Sequence, residues 1–348
     1  MKAIVMKKVI CSARILALVA STLAIALISG PANAQDDGAR TYWKGRAGVN
    51  AISFQYLNMN LQASDTVQFD PSHYIYPAAD AEVDIFVLSW ARHMTLFNQP
   101  AILSANLVGG SVDVEFDTTI TPPEFLPPGV VPGTSFSQSA SGYADPSVQL
   151  DVNLFGTPKL PAIFSYMNYE PTWTLDAAFM LGVPLGQYDD DSVVNLGLNR
   201  FYGRVAFPFK YHFRVFSPGY RSSLEVVPSV WLFADNDDFL GQKLKNDPMW
   251  QIEAHWTHDI TRHFFASLDL LYRNGFQSEI DGVDFGSDIE IGEIGFTLNF
   301  EVTPNVTIRT SFSSNVFGDS DIDTSMIRLQ FVYAWDRAIE NLKKLGNE

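Results

Sequence analysis

Basic and apolar side chains alternate along residues 199–214. The even positions carry Arg204, Lys210, His212 and Arg214, and the odd positions are mostly aromatic. Successive side chains of a β-strand point to opposite faces, so this stretch predicts one oily face and one basic face. A row of cations that faces a lumen would guide an anionic solute, such as an aromatic carboxylate, by electrostatic attraction.

The basic face also fits a structural role. Carboxylates on neighbouring strands would neutralise the cations, and the candidate partners are Asp176, Glu225 and Glu253. The two roles are compatible, because a channel can set a basic wall against an acidic wall. Alternation elsewhere in the chain places more polar side chains on the same face, and these further lumen candidates are Gln251, Glu253, His255 and Arg328.

Catalytic and metal-binding arrangements are not indicated. A serine hydrolase built on one strand needs His and Ser two residues apart, whereas His255-Trp-Thr257 offers only a threonine. The acidic runs at 189–191 and 235–238 lack the spacing of an EF-hand loop. We interpret them as solvated loops, with divalent ions bridging them to surface lipopolysaccharide as the alternative. We expect no enzyme activity, no cofactor and no metal site.

The elements that position these residues are predicted to be the strands of a transmembrane barrel. In such a barrel the oily face meets lipid and the charged face meets the lumen, since Arg204 or Lys210 near the lipid midplane would cost about 2–4 kcal/mol each. We predict an all-β, antiparallel barrel of about twelve strands. They lie at 45–57, 82–93, 100–115, 146–155, 171–183, 199–214, 222–233, 248–259, 263–273, 289–302, 305–316 and 325–335.

The lengths of the connections support the same topology. Alternate connections are short, whereas the intervening ones are long and acidic, as expected for periplasmic turns and outer loops. The short ones are 96–99, 216–221, 260–262 and 303–305. The connection 156–170 should be short and is not. It is interpreted as a periplasmic interfacial segment, a folded-in plug, or a hidden strand pair that would raise the count to fourteen.

The two ends of the chain lie outside the predicted barrel. Residues 1–34 have a basic start, an apolar run and an Ala32-Asn33-Ala34 cleavage signature, which predicts a secretory signal peptide cut before Gln35. The only cysteine, Cys11, lies within it. The barrel domain is expected to span 35–335, and a charged periplasmic tail to span 336–348. The net charge of −16 argues against a nucleic-acid partner.

Two central stretches carry a family resemblance. One runs from Val183-Pro-Leu-Gly-Gln-Tyr to Asn195-Leu-Gly-Leu-Asn-Arg200, and the other covers 224–250 with Ala234-Asp-Asn-Asp-Asp238. Ser141-Gly-Tyr-Ala-Asp-Pro146 is a weaker match. The chain resembles the family described as Putative MetA-pathway of phenol degradation, over residues 42–335. The resemblance implies an outer-membrane barrel that takes up aromatic or other hydrophobic compounds. It supplies no binding residues, and the tail after Trp335 departs from barrels that end on an aromatic residue.

The sequence thus predicts a bacterial outer-membrane channel for passive uptake of small organic solutes. Its expected partners are membrane lipid, lipopolysaccharide, the barrel assembly machinery and the solutes themselves. A non-transporting structural or surface barrel is the alternative function, and a soluble secreted β-sandwich is the alternative fold. Four tryptophans near predicted strand ends are expected to form aromatic girdles at the membrane interfaces. They are Trp43, Trp231, Trp250 and Trp335.

Overall fold

Every regular element in the described part of the chain is a β-strand. The computed structural model describes residues 37–63, 78–117, 135–157, 170–192, 194–284, 289–318 and 322–336. The strands are β1 (Val49–Ala63), β2 (Ala78–Leu96), β3 (Gln99–Asp117), β4 (Ser135–Tyr143), β5 (Ser147–Phe155), β6 (Trp173–Gly182), β7 (Tyr202–Ala206), β8 (Phe209–His212), β9 (Ser222–Phe233), β10 (Asn236–Phe239), β11 (Gln242–Asn246), β12 (Met249–Thr261), β13 (Phe264–Gly275), β14 (Ser278–Ile280), β15 (Val283–Asp284), β16 (Ile289–Thr303), β17 (Val306–Gly318) and β18 (Ile322–Asp336).

Fourteen of these strands form the wall of a closed, twelve-stranded antiparallel barrel. The wall closes where β1 pairs with β18, from Val49 opposite Asp336 to Ala63 opposite Ile322. Fourteen strands make only twelve staves of the barrel because two staves are each interrupted and consist of two shorter strands placed end to end. β4 and β5 both pair with β3, and β7 and β8 both pair with β6 and β9. The predicted fold class and strand number are confirmed.

Two predicted strands differ in detail from the observed ones. The first wall strand begins at Val49 rather than at residue 45, and residues 45–48 belong to the stretch of chain that precedes β1 and forms no strand of the wall. The predicted strand 199–214 is interrupted at Phe207 and Pro208, since proline has no backbone N–H to give to a neighbouring strand. The connection 156–170 falls mostly outside the described residues, because residues 158–169 are not described.

Short turns lie at one end of the barrel and long loops at the other. Phe97 and Asn98 join β2 to β3 with φ angles of 47° and 67°, as in the two-residue hairpin turn with positive φ at both residues. The turn between β16 and β17 is equally short, at Pro304 and Asn305. Both turns lie at the end where β1 begins, which we call the periplasmic end. At the outer end β10, β11, β14 and β15 form a separate four-stranded sheet.

The outward face of the wall is apolar, whereas the inward face is polar in one half of the barrel and apolar in the other. Phe209, Tyr211 and Trp250 project outward, whereas Lys210 and Gln251 beside them are buried inside. The periplasmic half of the interior is filled by charged and polar side chains. The outer half holds two apolar clusters, one on the β1–β3 side and one near β9, β12 and β16. The structure therefore agrees with the prediction of which alternate side chains face the interior and which face outward.

We predict that Leu270→Arg lowers the free energy of unfolding in phospholipid vesicles by about 2–4 kcal/mol, because Leu270 lies mid-strand in β13 on the outward face. The measurement is denaturant unfolding of the refolded barrel. His263→Arg is the matched control at the exposed β12–β13 turn and is expected to change stability by less than about 0.5 kcal/mol. Equal effects at both sites would contradict a lipid-facing position for Leu270.

Candidate functional site

The chain that precedes β1 lies inside the barrel. Residues 37–48, the amino-terminal segment, form no strand of the wall, and Ala39 and Tyr42 within it are almost completely buried. The segment enters at the periplasmic end. There the backbone N–H groups of Gly45 and Gly48 donate to the Nδ1 atom and the carbonyl oxygen of His93, at 2.9 Å and 2.8 Å. From this rim the segment rises into the interior, with Asp37 innermost.

Lysine and aspartate side chains bind the segment to one side of the wall. Lys44 forms ion pairs with Asp151 of β5 and Asp176 of β6, the second at 3.0 Å. Lys210 of β8 also pairs with Asp176 and donates to the carbonyl oxygen of Tyr42 at 2.7 Å. Two cations therefore share the Asp176 carboxylate, one from the segment and one from the wall. Removing Lys44 would leave the buried Asp151 carboxylate without its ion-pair partner, and removing Asp176 would do the same to Lys210.

Arg40 binds the neighbouring part of the wall through several kinds of contact. Its Nη1 atom lies 2.5 Å from Asp259 of β12, and its Nε atom donates to Thr257 at 3.0 Å. Its backbone N–H donates to Glu225 of β9, which also accepts a 2.7 Å hydrogen bond from the Trp43 indole. The guanidinium packs over the Phe265 ring at 4.0 Å. Arg40 is thus fixed by charge, hydrogen bonds and cation–π contact.

Asp37 completes a charge network in the middle of the barrel. Its carboxylate lies 2.7 Å from Arg204 Nη1, and its backbone N–H donates to Glu253 at 2.8 Å. Arg204 Nη2 and Glu253 are paired directly at 2.9 Å. Gly38 reaches the opposite wall. A Cβ atom at this position, whose φ is +83°, would lie 2.9 Å from an Arg328 nitrogen. The segment therefore spans the interior from β7 and β12 to β18.

Seven of the eight predicted lumen candidates lie buried on the inward face. They are Arg204, Lys210, His212, Gln251, Glu253, His255 and Arg328. Arg214 does not join them, because β8 ends at His212 and the Arg214 side chain is exposed near the periplasmic turn. Arg204 and Lys210 pair with Glu253 and Asp176, two of the three carboxylates considered as partners. The third, Glu225, binds the amino-terminal segment instead.

Two tryptophans occupy places that differ from the girdle predicted for them. Trp43 lies in the amino-terminal segment, with its ring 5.3 Å from the His212 ring in an edge contact. Trp231 is fully buried inside the barrel and donates to Gln251 at 3.2 Å. An indole N–H needs an acceptor when it leaves water, and the inward carboxylates and amides supply one. Trp250 does face outward.

The sequence pattern does not predict an interior position for the amino-terminal segment. Asp37, Arg40 and Lys44 have the i, i+3, i+7 spacing of one helix face, but no apolar face of matching period accompanies them, and Gly38, Gly45 and Gly48 interrupt the segment. Such a stretch is typical of a loop, and periodicity alone does not say whether a loop lies inside or outside a barrel. The mixed signs and short spacing of the charges are the only signal that a charged interior could accept them.

A second inserted element crosses the outer half of the interior. Residues 183–201, apart from residue 193, which is not described, form what we call the inserted loop. Val194 and Leu196 pack into the apolar cluster on the β1–β3 side, and Leu198 packs into the other cluster. The loop therefore joins the two walls across the outer half.

Side-chain acceptors hold the inserted loop in shape. The Asp145 carboxylate accepts hydrogen bonds from the backbone N–H groups of Gly186 and Leu198, at 2.7 Å and 2.9 Å. Asn236 donates to the Leu198 carbonyl oxygen and to the Tyr188 hydroxyl, at 3.2 Å and 2.9 Å. The three stretches that carry the family resemblance thus meet at this loop.

The arrangement defines a bacterial outer-membrane β-barrel. No helix in the described ranges is long and apolar enough to span a membrane. The chain belongs to the family described as Putative MetA-pathway of phenol degradation, which matches residues 64–320. No curated protein matches the chain.

Solved structures share the architecture at low sequence identity. An outer membrane channel from Pseudomonas putida F1 is 15% identical with a TM-score of 0.66, over 86% of this chain and 99% of that one. The β domain of a Bordetella autotransporter is 9% identical with a TM-score of 0.46, over 82% and 100%. The translocator domain of a Neisseria meningitidis autotransporter is 7% identical with a TM-score of 0.45, over 90% and 96%. The first match supports the barrel fold.

We predict that Lys44→Met exposes the amino-terminal segment to trypsin. Loss of one partner of a buried ion pair costs about 3–5 kcal/mol, so the segment should leave the wall more often. Cleavage after Arg40, followed by mass spectrometry, should become at least about tenfold faster, because proteolysis follows the population of the opened form.

Lys245→Met is the matched control for this experiment, since Lys245 pairs with Glu279 at 3.3 Å on an exposed surface. Exposed pairs contribute about 0–1 kcal/mol, and the rate of cleavage after Arg40 should stay at the wild-type value. Indistinguishable rates in Lys44→Met and Lys245→Met would show that the Lys44 ion pairs do not hold the segment in place.

Proposed function

We propose that this protein is a channel for the passive uptake of small organic solutes, aromatic and hydrophobic ones included, across the outer membrane. Membership of a family described by phenol degradation supports this class of solute. The likeness of the barrel to a Pseudomonas putida outer membrane channel supports the architecture of a channel. The proposed role is transport rather than catalysis, with no cofactor or metal.

The amino-terminal segment is the observation that carries the proposal. It brings a peptide backbone with the Tyr42 and Trp43 side chains into the interior and is held there by ion pairs and hydrogen bonds, not as a strand of the wall. A wall that surrounds a tyrosine and a tryptophan also has the width to pass a single aromatic ring. Withdrawal of the segment would therefore leave a polar passage through the periplasmic half.

The seven inward candidates are proposed to line that passage. Arg204, Lys210 and Arg328 would supply positive charge, and Glu253 would supply negative charge, so a solute would move between walls of both signs. His212, Gln251 and His255 would add hydrogen-bonding groups. The contacts with the segment do not exclude this role. When the segment is displaced, Arg204 loses its contact with Asp37 and Lys210 loses its contact with the Tyr42 carbonyl oxygen, so both side chains become available to a solute.

The processing and surroundings of the chain belong to the same proposal. Residues 1–34 would be removed as a signal peptide on export in a Gram-negative cell, leaving a barrel domain from residue 35 to 335 and a periplasmic tail from 336 to 348. The barrel assembly machinery would insert the chain, and membrane lipid and lipopolysaccharide would surround it. The apolar outward face, with Trp250 and Trp256 among its exposed side chains, supports contact with lipid.

We predict that deletion of residues 37–44 raises the single-channel conductance. The variant keeps residues 1–36 and all strands of the wall, but loses the contacts of Asp37, Arg40 and Lys44 with the interior. Planar-bilayer recordings of the purified protein should show larger and longer openings than the full chain does. Permeation of phenol and benzoate can then be followed by swelling of liposomes that contain the barrel.

A second variant, Asp37→Asn/Arg40→Gln/Lys44→Met, keeps the length of the segment but removes the three charges that bind it to the wall. It should behave like the deletion in bilayers, while both variants keep the heat-modifiable migration of a folded barrel. A folded deletion variant with no conductance would contradict the proposal and favour the alternative of a non-transporting structural barrel.

A further inference from the structure

Arg200 is a buried cation at the end of the inserted loop. Its side chain is only 3% exposed, and its guanidinium carbon lies 5.1 Å from the centre of the Phe233 ring. Burial lowers the pKa of Arg200 to about 10, which still leaves the group protonated at neutral pH. A positive charge is thus kept at the outer end of the barrel, beside an apolar cluster.

The guanidinium of Arg200 has no hydrogen-bond acceptor among the described residues. Its three nitrogen atoms are all buried without a partner there. The other buried arginines of the described part each have a polar contact. Arg40 binds Asp259, Arg204 binds Asp37 and Glu253, Arg273 binds Gln251, and Arg328 binds Ser311. Arg200 differs, and a buried cation with five unmatched N–H groups is costly.

The charged groups that act on Arg200 are engaged elsewhere. The Asp145 carboxylate accepts the backbone N–H groups of Gly186 and Leu198. Asp235 forms an ion pair with Lys243 at 2.7 Å. The Tyr188 hydroxyl donates to the Asp238 carbonyl oxygen at 3.0 Å and accepts from Asn236. These acceptors build the frame of the loop, so none of these three groups in the described part of the chain is left to pair with the Arg200 guanidinium.

The backbone on both sides of Arg200 is fixed. Asn199, with a φ of +53°, donates from its side chain to Asn236 at 3.1 Å. One residue beyond Arg200, the Phe201 carbonyl oxygen accepts the Ala234 N–H at 2.8 Å. The guanidinium is therefore presented by a framework with little freedom, which favours recognition of a defined group over general attraction.

We propose that Arg200 is the recognition group for the carboxylate of a small monoanionic aromatic solute in the outer half of the barrel interior. A guanidinium binds a carboxylate through two parallel hydrogen bonds. The Phe233 ring and the adjacent apolar cluster, which includes Phe276 and Leu198, suit the aromatic body. Asp189, Asp190 and Asp191 in the same loop and Asp235, Asp237 and Asp238 nearby disfavour dianions. The proposal rests on the proposed function and names the solute class.

Direct binding tests this proposal independently of conductance. Equilibrium dialysis of the full chain in detergent, with radiolabelled benzoate as the probe, gives the affinity. Competition by benzyl alcohol and phthalate then shows what the site recognises. We expect benzoate to bind at least about tenfold more tightly than the neutral alcohol, which has no carboxylate for the guanidinium, or the dianion, whose second negative charge the nearby aspartates repel.

Variants assign the binding to Arg200. Arg200→Gln should weaken benzoate binding at least about tenfold, and Arg200→Lys should give an intermediate affinity, since lysine keeps the charge but loses the planar fork. Arg262→Gln removes the same charge at the exposed β12–β13 turn and should leave benzoate affinity unchanged. Heat-modifiable migration on gels confirms that each variant is folded.

Two results would overturn the proposal. One is benzoate affinity in Arg200→Gln equal to that of the full chain. The other is wild-type protein that binds benzoate no better than benzyl alcohol, a comparison that needs no variant and holds even where Arg200→Gln fails to fold. Failure of the channel hypothesis would appear separately, as absence of conductance in the deletion variant, while benzoate binding at Arg200 could persist.

Discussion

Compensation of buried charge is the constraint on which this structure depends. A barrel with an apolar outward face must direct its charged side chains inward, where unpaired charges are costly. The wall supplies part of the compensation itself, as in the pair of Arg204 with Glu253. The rest comes from the amino-terminal segment, whose Lys44 neutralises Asp151 and whose Arg40 neutralises Asp259. The segment is therefore part of the electrostatic balance of the barrel.

The elements inside the two halves of the barrel are held by different physical means. In the periplasmic half, ion pairs hold the amino-terminal segment to the wall, and these depend on exact partners and respond to the removal of a single charge. In the outer half, apolar contacts of Val194, Leu196 and Leu198 hold the inserted loop, and these are non-directional and depend on buried area. A solute that crosses the barrel therefore meets an apolar layer first and a charged layer second.

Much of the fold could be predicted from the sequence because the strand period is two. In 199–214 and 248–259 a shift by one residue would turn Lys210 or Glu253 toward lipid, so pattern alone determines which side chains face inward. The placement of the amino-terminal segment could not be predicted, because its contacts are remote in sequence. Asp37 and Glu253 lie 216 positions apart. Nor does alternation show where a strand ends, so it predicts an inward position for Arg214 although β8 ends at His212.

The direct connection of the amino-terminal segment to β1 also constrains how the barrel can be assembled. The ion-pair partners of Asp37, Arg40 and Lys44 lie on β5 to β12, in the middle of the chain, whereas the seam between β1 and β18 is completed only when the last strand is present. Before that seam forms, the middle strands can present an open, curved sheet. The segment can then bind to the open face of this sheet. Pairing of β1 with β18 afterwards encloses it, so the segment never has to pass through a narrow opening.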